Sequence, residues 1–381
     1  SLEGKRKEIQ KSKYGVSENR SKLLPQINAI AGYNNNFDPP VSVTDGSSYG
    51  VPYNITKTLQ HSANAGLEMQ MPLFNQTLYT SMSIAKVMEE ISRLSYGKAR
   101  EDVILQISKM YYLGQVTAEQ IMLIKANIIR LEELRDITQA IFENGMSMEV
   151  DLKRVNINLE NLKVQYDNAL AMMKQQLNML KYIMDYPAEK EIALTPVNTD
   201  SITTVALTGL SENLYELQLT QSQLELAERQ KRMITNGYIP SLSLTGNWRY
   251  AAYTDKGYHW FHSGPSNHWF RSYGLGLTLR IPIFDGLDKT YKIRKAMIDI
   301  ENRKLAWEDT RKNLQTQYLN AVNDLMNNQR NFKIQKDNYL LADDVYAVTS
   351  DRYREGIASM TEVLQDEMQM SEAQNNYINA H

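Results

Sequence analysis

Two stretches of alternating apolar and polar positions lie 210 positions apart. Residues 65–75 read AGLEMQMPLFN and residues 275–285 read LGLTLRIPIFD, each closing on Pro-x-Phe and then Asn or Asp. A period of two predicts a strand with one apolar face. In the first copy Ala63, Ala65, Leu67, Met69 and Met71 alternate with Ser62, Asn64, Glu68 and Gln70. In the second, Trp269, Tyr273, Leu275, Leu277, Leu279 and Ile281 share one face, and Ser272, Thr278 and Arg280 fall on the other. A partner strand precedes each. Leu242, Leu244, Gly246, Trp248 and Tyr250 alternate with Ser243, Thr245, Asn247 and Arg249, and the less regular 26–37 follows Pro25 as 241–252 follows Pro240. Strands of about 10 to 13 residues are long enough to cross a bilayer at a tilt.

The period then changes. No proline occurs between 73 and 186 or after 282, and both tracts are rich in Leu, Met, Lys, Glu and Gln, which favours helix. Ile293, Ile300, Trp307, Leu314 and Ala321 form a seven-residue row beside Tyr318, Leu325, Phe332, Tyr339 and Tyr346. Such spacing means helices packed lengthwise on other helices. A helix from about 76 to 142 would be roughly 100 Å long. Each tract is broken once, at Gly145 or Gly356, with an acid six residues on, Asp151 or Glu362. Glycine is the natural left-handed residue where a helix stops, so each tract reads as a helical hairpin with its tip at 143–150 or 354–361.

The predicted layout is a duplication. Repeat one covers 1–185, with strands at about 26–37 and 61–71 and a hairpin at about 75–185. Residues 186–210 join it to repeat two, 211–381, with strands at about 241–253 and 269–281 and a hairpin at about 285–381. Pro72 and Pro282 are expected to end the strand ladder, having no N–H to give it. Phe74 and Phe284 suit a membrane–water boundary, and Asn75 and Asp285 are placed to cap the following helix.

Composition narrows the function. The chain has 381 residues, a net charge of -2 with both signs interspersed, and no cysteine. That argues against nucleic acid as a partner and removes disulfides, thiolate metal sites and thiol nucleophiles. No window approaches the ~18 apolar residues of a transmembrane helix. The start, SLEGKRKEIQKSKYG, lacks the apolar core of a signal peptide, so an export signal would lie outside this chain. No nucleophile–base pair, phosphate loop or His/carboxylate cluster stands out, and neither an enzyme nor a bound cofactor or metal is expected.

The paired strands and tips resemble those of the TolC-like outer membrane efflux proteins. The resemblance is carried by Leu24-Pro25-Gln-Ile27, Ile239-Pro240-Ser-Leu-Ser-Leu244, both Pro-x-Phe handovers and both glycine tips. It implies a mainly α fold with membrane β: two repeats, each with two transmembrane strands and a long helical hairpin. It further implies a homotrimer whose 12-stranded β-barrel, set in outer membrane lipid of a Gram-negative bacterium, continues into a periplasmic α-helical barrel. Such a channel serves as the exit duct of a tripartite efflux pump or type I secretion system. Its partners are a periplasmic adaptor (membrane fusion) protein and an inner-membrane transporter of RND or ABC type. The adaptor would dock at the tips Asn144-Gly145-Met146 and Glu355-Gly356-Ile357. By the same resemblance Glu362, Asp366 and Asp151 form an acidic ring at the periplasmic entrance, and Tyr353 matches a gate tyrosine. Gln365 stands where a second acid is common, and Ala358 replaces a basic gate residue. Relative to that pattern the first copy, with 24 residues before its first strand, is expected to lack an initial helix, and the second to be curtailed after Gly356.

Two features keep plainer explanations. Ser359-Met-Thr-Glu362 fits a capping box, which would explain Glu362 structurally. His259, His262 and His268 fall among Trp260, Phe261, Trp269 and Phe270, where an aromatic girdle beside an exposed loop accounts for them better than zinc does. Residues 38–60 read as a second external loop. The rival to the duct is a coiled-coil scaffold without a pore, lacking any use for amphipathic strands.

Overall fold

A computed structural model describes residues 2–45, 47, 50, 52–196, 209, 211, 213–255 and 269–380. The elements in chain order are α1 (Leu2–Ser21), β1 (Gln26–Asn35), β2 (Val41–Asp45), β3 (Tyr53–Lys57), β4 (His61–Phe74), α2 (Gln76–Glu143), α3 (Glu149–Met184), α4 (Tyr215–Asn236), β5 (Ser241–Thr254), β6 (Trp269–Arg280), α5 (Asp288–Arg354) and α6 (Met360–Ala380). Two compact units result, each drawing on both halves of the chain: Ser1–Tyr96 with Asn213–Thr310, and Gly97–Glu212 with Arg311–His381.

The first unit holds the sheet. Four strands pair antiparallel in the order β1-β4-β5-β6, so the strands of the two copies meet along β4 and β5. The helix expected to be missing from copy one is present as α1, standing before β1 as α4 stands before β5. α4 is fastened to α2 by Asn236 Nδ2, which donates to Thr80 Oγ1 at 2.6 Å, and by Arg229, which donates to Ser83. The segment 38–60 is more than a loop: β2 and β3 form their own two-stranded sheet there. Pairs such as Val43 with Ile55 supply the β-branched positions that period-two patterning alone was too short to reveal.

The second unit is a helical bundle of the outer parts of α2 and α5 with α3 and α6. Its core joins Leu131 and Leu134 of α2, Val155, Leu159 and Leu162 of α3, Tyr346 and Tyr353 of α5, and Met360, Val363 and Met370 of α6. The heptad row on α5 explains its aromatic side. Tyr339 stacks on Tyr377 of α6 with ring centroids 5.7 Å apart, and Phe332 approaches the same ring at 5.6 Å. Tyr377 donates its hydroxyl to Glu119 Oε1 of α2 at 2.8 Å. Burial and that carboxylate push its pKa well up, so the hydroxyl stays a donor. Arg130 of α2 pairs with Asp343 of α5. The segment after α3 returns to α2, where Gly114 leaves room for Leu194; a Cβ at Gly114 would lie 2.7 Å from the Leu194 side chain.

Candidate functional site

The sheet has two unlike faces. Register places Ile27 opposite Met69, Leu67 opposite Trp248, Met71 opposite Leu244, and Leu244 opposite Leu277. These share one face with Ala65, Tyr250, Tyr273, Leu275 and Leu279. That face is bare: Leu275 is 79% exposed, Tyr273 76%, Leu277 68% and Ile27 64%. A contiguous apolar surface of this kind marks an interaction site rather than a solvent face. Trp248, Tyr250, Trp269 and Tyr273 gather toward one end of it, while Phe74 stands at the other end and Phe284 past the end of β6, the distribution that suits two membrane interfaces. The opposite face carries Asn28, Asn64, Gln70, Ser243, Thr245, Asn247 and Thr278. Its charges are Glu68, Arg249 and Arg280. Arg249 Nη2 meets Glu68 Oε1 at 2.8 Å across the β4–β5 seam, with Nε of the same arginine buried and, among the described residues, unpartnered.

Glycines let the polar face fold in tightly. Gly66 lies opposite Arg249, and a Cβ there would fall 2.3 Å from the Trp248 carbonyl oxygen and 2.9 Å from Arg249 Cα. Only a residue without Cβ permits that approach. The ion pair and this close approach were not foreseen from the sequence. Their signal was present, since Glu68 and Arg249 are the opposed charges on the polar sides of β4 and β5.

The handovers differ between the copies. Asn75 Oδ1 accepts from the backbone N–H of Thr77 at 3.0 Å and of Leu78 at 3.2 Å, capping α2. Pro72 does not end β4, which runs on to Phe74 with a register irregularity between them. The reason is that β1 pairs no further than Gln70, so β4 has a free side at Pro72, where proline is tolerated. In the second copy β6 stops at Arg280, two residues before Pro282. Asp285 also departs from simple capping. Gly286 (φ 68°) and Leu287 (φ 69°) intervene, α5 starts at Asp288, and Asp285 Oδ2 accepts from the Lys289 N–H at 3.2 Å and pairs with its ammonium at 3.0 Å.

The two tips are built alike. Gly145 (φ 77°) donates to Phe142 O while Met146 donates to Ile141 O; Gly356 (φ 74°) donates to Tyr353 O while Ile357 donates to Arg352 O. Both are Schellman closures, with glycine in the left-handed position. Asn144 adds a side-chain bond to Ala140 O at 2.8 Å, and Glu355 is exposed. Met146 is 74% exposed and Ile357 63%, so apolar side chains stand out at both turns. A cleft of about 460 Å³ between the tips is lined by Asp151 and Tyr353 together with Met146, Gly356 and Ala358. Tyr353 is buried, its hydroxyl without a hydrogen-bond partner among the described residues.

The acids are dispersed in role. Asp151 lies 3.6 Å from Arg154. Glu362 closes a capping box: its carboxylate accepts the Ser359 backbone N–H at 2.7 Å, and its own N–H donates to Ser359 Oγ at 3.3 Å. Those Ser359 bonds hold its carboxyl below the usual range, so it is ionised at neutral pH. Asp366 accepts from Thr349 Oγ1 at 2.6 Å. Thus Asp151 and Tyr353 share the cleft, whereas Glu362 and Asp366 are engaged on their own helix start and on α5. The loop with His259, His262 and His268 lies outside the described residues. Among the described residues no three His, Cys, Asp or Glu side chains are grouped to hold a metal, and no helix is long and apolar enough to cross a membrane.

A four-stranded sheet with a bare apolar face, joined to hairpins tipped by glycine turns, defines a class. The sequence model of outer membrane efflux proteins matches residues 1–184 and 208–381, and the chain belongs to that family. The outer membrane protein TolC of Vibrio cholerae serotype O1 is 22% identical over 323 residues, covering 81% of this chain. The chain spans 66% of that relative's length. The outer-membrane channel OprN superposes with a TM-score of 0.78 at 15% identity, covering 100% of this chain and 83% of OprN. CusC, described with its transmembrane channel formation, gives 0.78 at 16% identity, covering 100% and 85%. The fold is therefore that of these channels, with two repeats, as the paired strands and tips implied. The chain is an outer membrane protein of the Gram-negative type with a periplasmic portion.

Proposed function

We propose that the chain is one third of an outer membrane exit duct. Three copies would close a 12-stranded barrel, and their hairpins would wall a periplasmic conduit for a tripartite efflux pump or a type I secretion system. The observation that carries this is the open sheet. Among the described residues β1 and β6 have no partner on their outer edges, and the apolar face is exposed. Hydrocarbon tolerates no open edge, so the sheet must be completed by other copies. Single-chain barrels of this class start at 8 strands, and two copies would give 8 and three 12; the family supports three. The duct is passive and performs no chemistry. Exposed apolar rows on α5, including Leu319, Met326, Leu341 and Val348, supply further surface for copies to cover.

The tips 144–146 and 355–357 are proposed to offer grooves to the helices of a periplasmic adaptor, which links the duct to an RND or ABC transporter. Exposed Met146 and Ile357 beside rigid glycine turns support it. Glu362, Asp366 and Asp151 are proposed to make the mouth of the duct negative, with Tyr353 as the aromatic behind the gate. The capping box does not compete with this, because a capping carboxylate keeps its charge. Light scattering on the detergent-solubilised protein should give a trimer mass, and cysteines at 146 and 357 should cross-link to the adaptor. A monomer or dimer mass would overturn the duct. Cross-links arising from 38–60 and not from the tips would overturn the docking.

A further inference from the structure

Where β4 hands over to α2, the polar face of the sheet opens into a cavity of about 400 Å³. Lys22, Gln26, Gln70, Ser243, Thr278 and Arg280 line it, and among the described residues no Asp or Glu does. Register sets Gln26 opposite Gln70 and Ser243 opposite Thr278, so these groups and Arg280 project from one face, the one away from the bare apolar surface. Among the described residues the remaining cation of that face is Arg249, already neutralised by Glu68. Arg280 has no ion pair among the described residues. Lys22 reaches Glu18 at 3.7 Å, with side chains 45% and 72% exposed, and donates to Asn19 Oδ1 at 3.4 Å, also in the open. Contacts so long and wet leave the ammonium available.

Two cations in one cavity repel each other unless a counter-charge enters. Around them stand carboxamide and hydroxyl donors, which satisfy the oxygens of an anion. A guanidinium offers its fork to two oxygens at once, and a lysine adds a mobile point charge. We propose that this cavity binds a soluble oxyanion of the phosphate class, held by Arg280 and Lys22. Lipid is the wrong source, because lipid would meet the opposite face. If the polar face lines the duct proposed above, three such cavities ring it and retain anionic solutes there; that consequence rests on the duct, whereas the binding does not.

The test is calorimetric titration of inorganic phosphate into the detergent-solubilised full chain at low salt. Wild type should bind saturably and more weakly as NaCl is raised. Lys22→Gln/Arg280→Gln should lose roughly tenfold or more in affinity, since both charge-assisted contacts go. Lys22→Arg/Arg280→Lys, keeping both charges, should retain most of the binding and shows that the site folds. Arg249→Gln, outside the cavity, should titrate as wild type. Absence of saturable binding in wild type, an unchanged double variant, or an equal loss in Arg249→Gln would overturn the site. A monomer mass in light scattering would instead sink the duct and leave this result standing.

Discussion

Gly66→Ala should loosen the seam that holds the two copies of the strand pair together. The added Cβ would lie 2.3 Å from Trp248 O, 2.9 Å from Arg249 Cα and 3.2 Å from Trp248 C, against ordinary contact from 3.4 Å outward. All three are backbone atoms of β5, so no rotamer change relieves the overlap. The strands must part by roughly 1 Å at that level, enough to carry a bond of about 2.9 Å beyond hydrogen-bonding range. Two flanking bonds at about 1 kcal/mol each, on top of about 1 kcal/mol of overpacking, give roughly 3 kcal/mol. For a unit of this size that is a fall of about 6 to 12 °C in Tm. Intrinsic tryptophan fluorescence, to which Trp248 on the affected strand contributes, follows thermal unfolding of the detergent-solubilised protein. Gly274→Ala is the control. Its Cβ meets only the Asn247 side-chain oxygen, at 3.1 Å, which can swing away, so the cost should stay below about 1 kcal/mol. Equal Tm values for Gly66→Ala and wild type would refute the close-packed seam.

Glu367 of α6 is 8% exposed, and burial raises its pKa. A carboxyl with a raised native pKa contributes fully below its unfolded value and costs stability as pH climbs through the native one. Glu367→Gln should therefore raise Tm by a few degrees at pH 7.5 and leave it unchanged near pH 4; a loss at both would show that an unseen partner holds the carboxylate. For the proposed acidic mouth, Glu362→Gln/Asp366→Asn should abolish most of the cation preference and trivalent-cation block in planar bilayers while the trimer persists. Because Ser359 lowers the Glu362 pKa, its charge and its cap are present above the usual carboxylate range and disappear as pH falls through the lowered value. Wild-type selectivity should thus survive at pH 5, and an unchanged double variant would return Glu362 to helix capping and Asp366 to its bond with Thr349.

The periodicity of this chain was enough to define its four long strands and two helical hairpins, and its motifs carried the resemblance to a family; β2, β3 and α1 escaped both. Residues 65–75 and 275–285 alternate because one face meets an apolar medium and the other a polar one, and a period of two leaves no other regular structure. Long proline-free tracts with heptad rows had to be helices packed on helices, and a glycine that ends such a tract had to sit at positive φ, as Gly145 and Gly356 do. Local rules of this kind act within one turn or one strand, and so they are written in neighbouring residues. The order β1-β4-β5-β6, the seam at Gly66, the Glu68–Arg249 pair and the cavity around Lys22 and Arg280 depend on which strand lies beside which. The sequence could not choose these, because pairing partners separated by some 180 positions are selected by packing of the whole sheet. Glu362 shows the boundary best: its capping box is local and legible, while its place in any ring belongs to the meeting of separate chains.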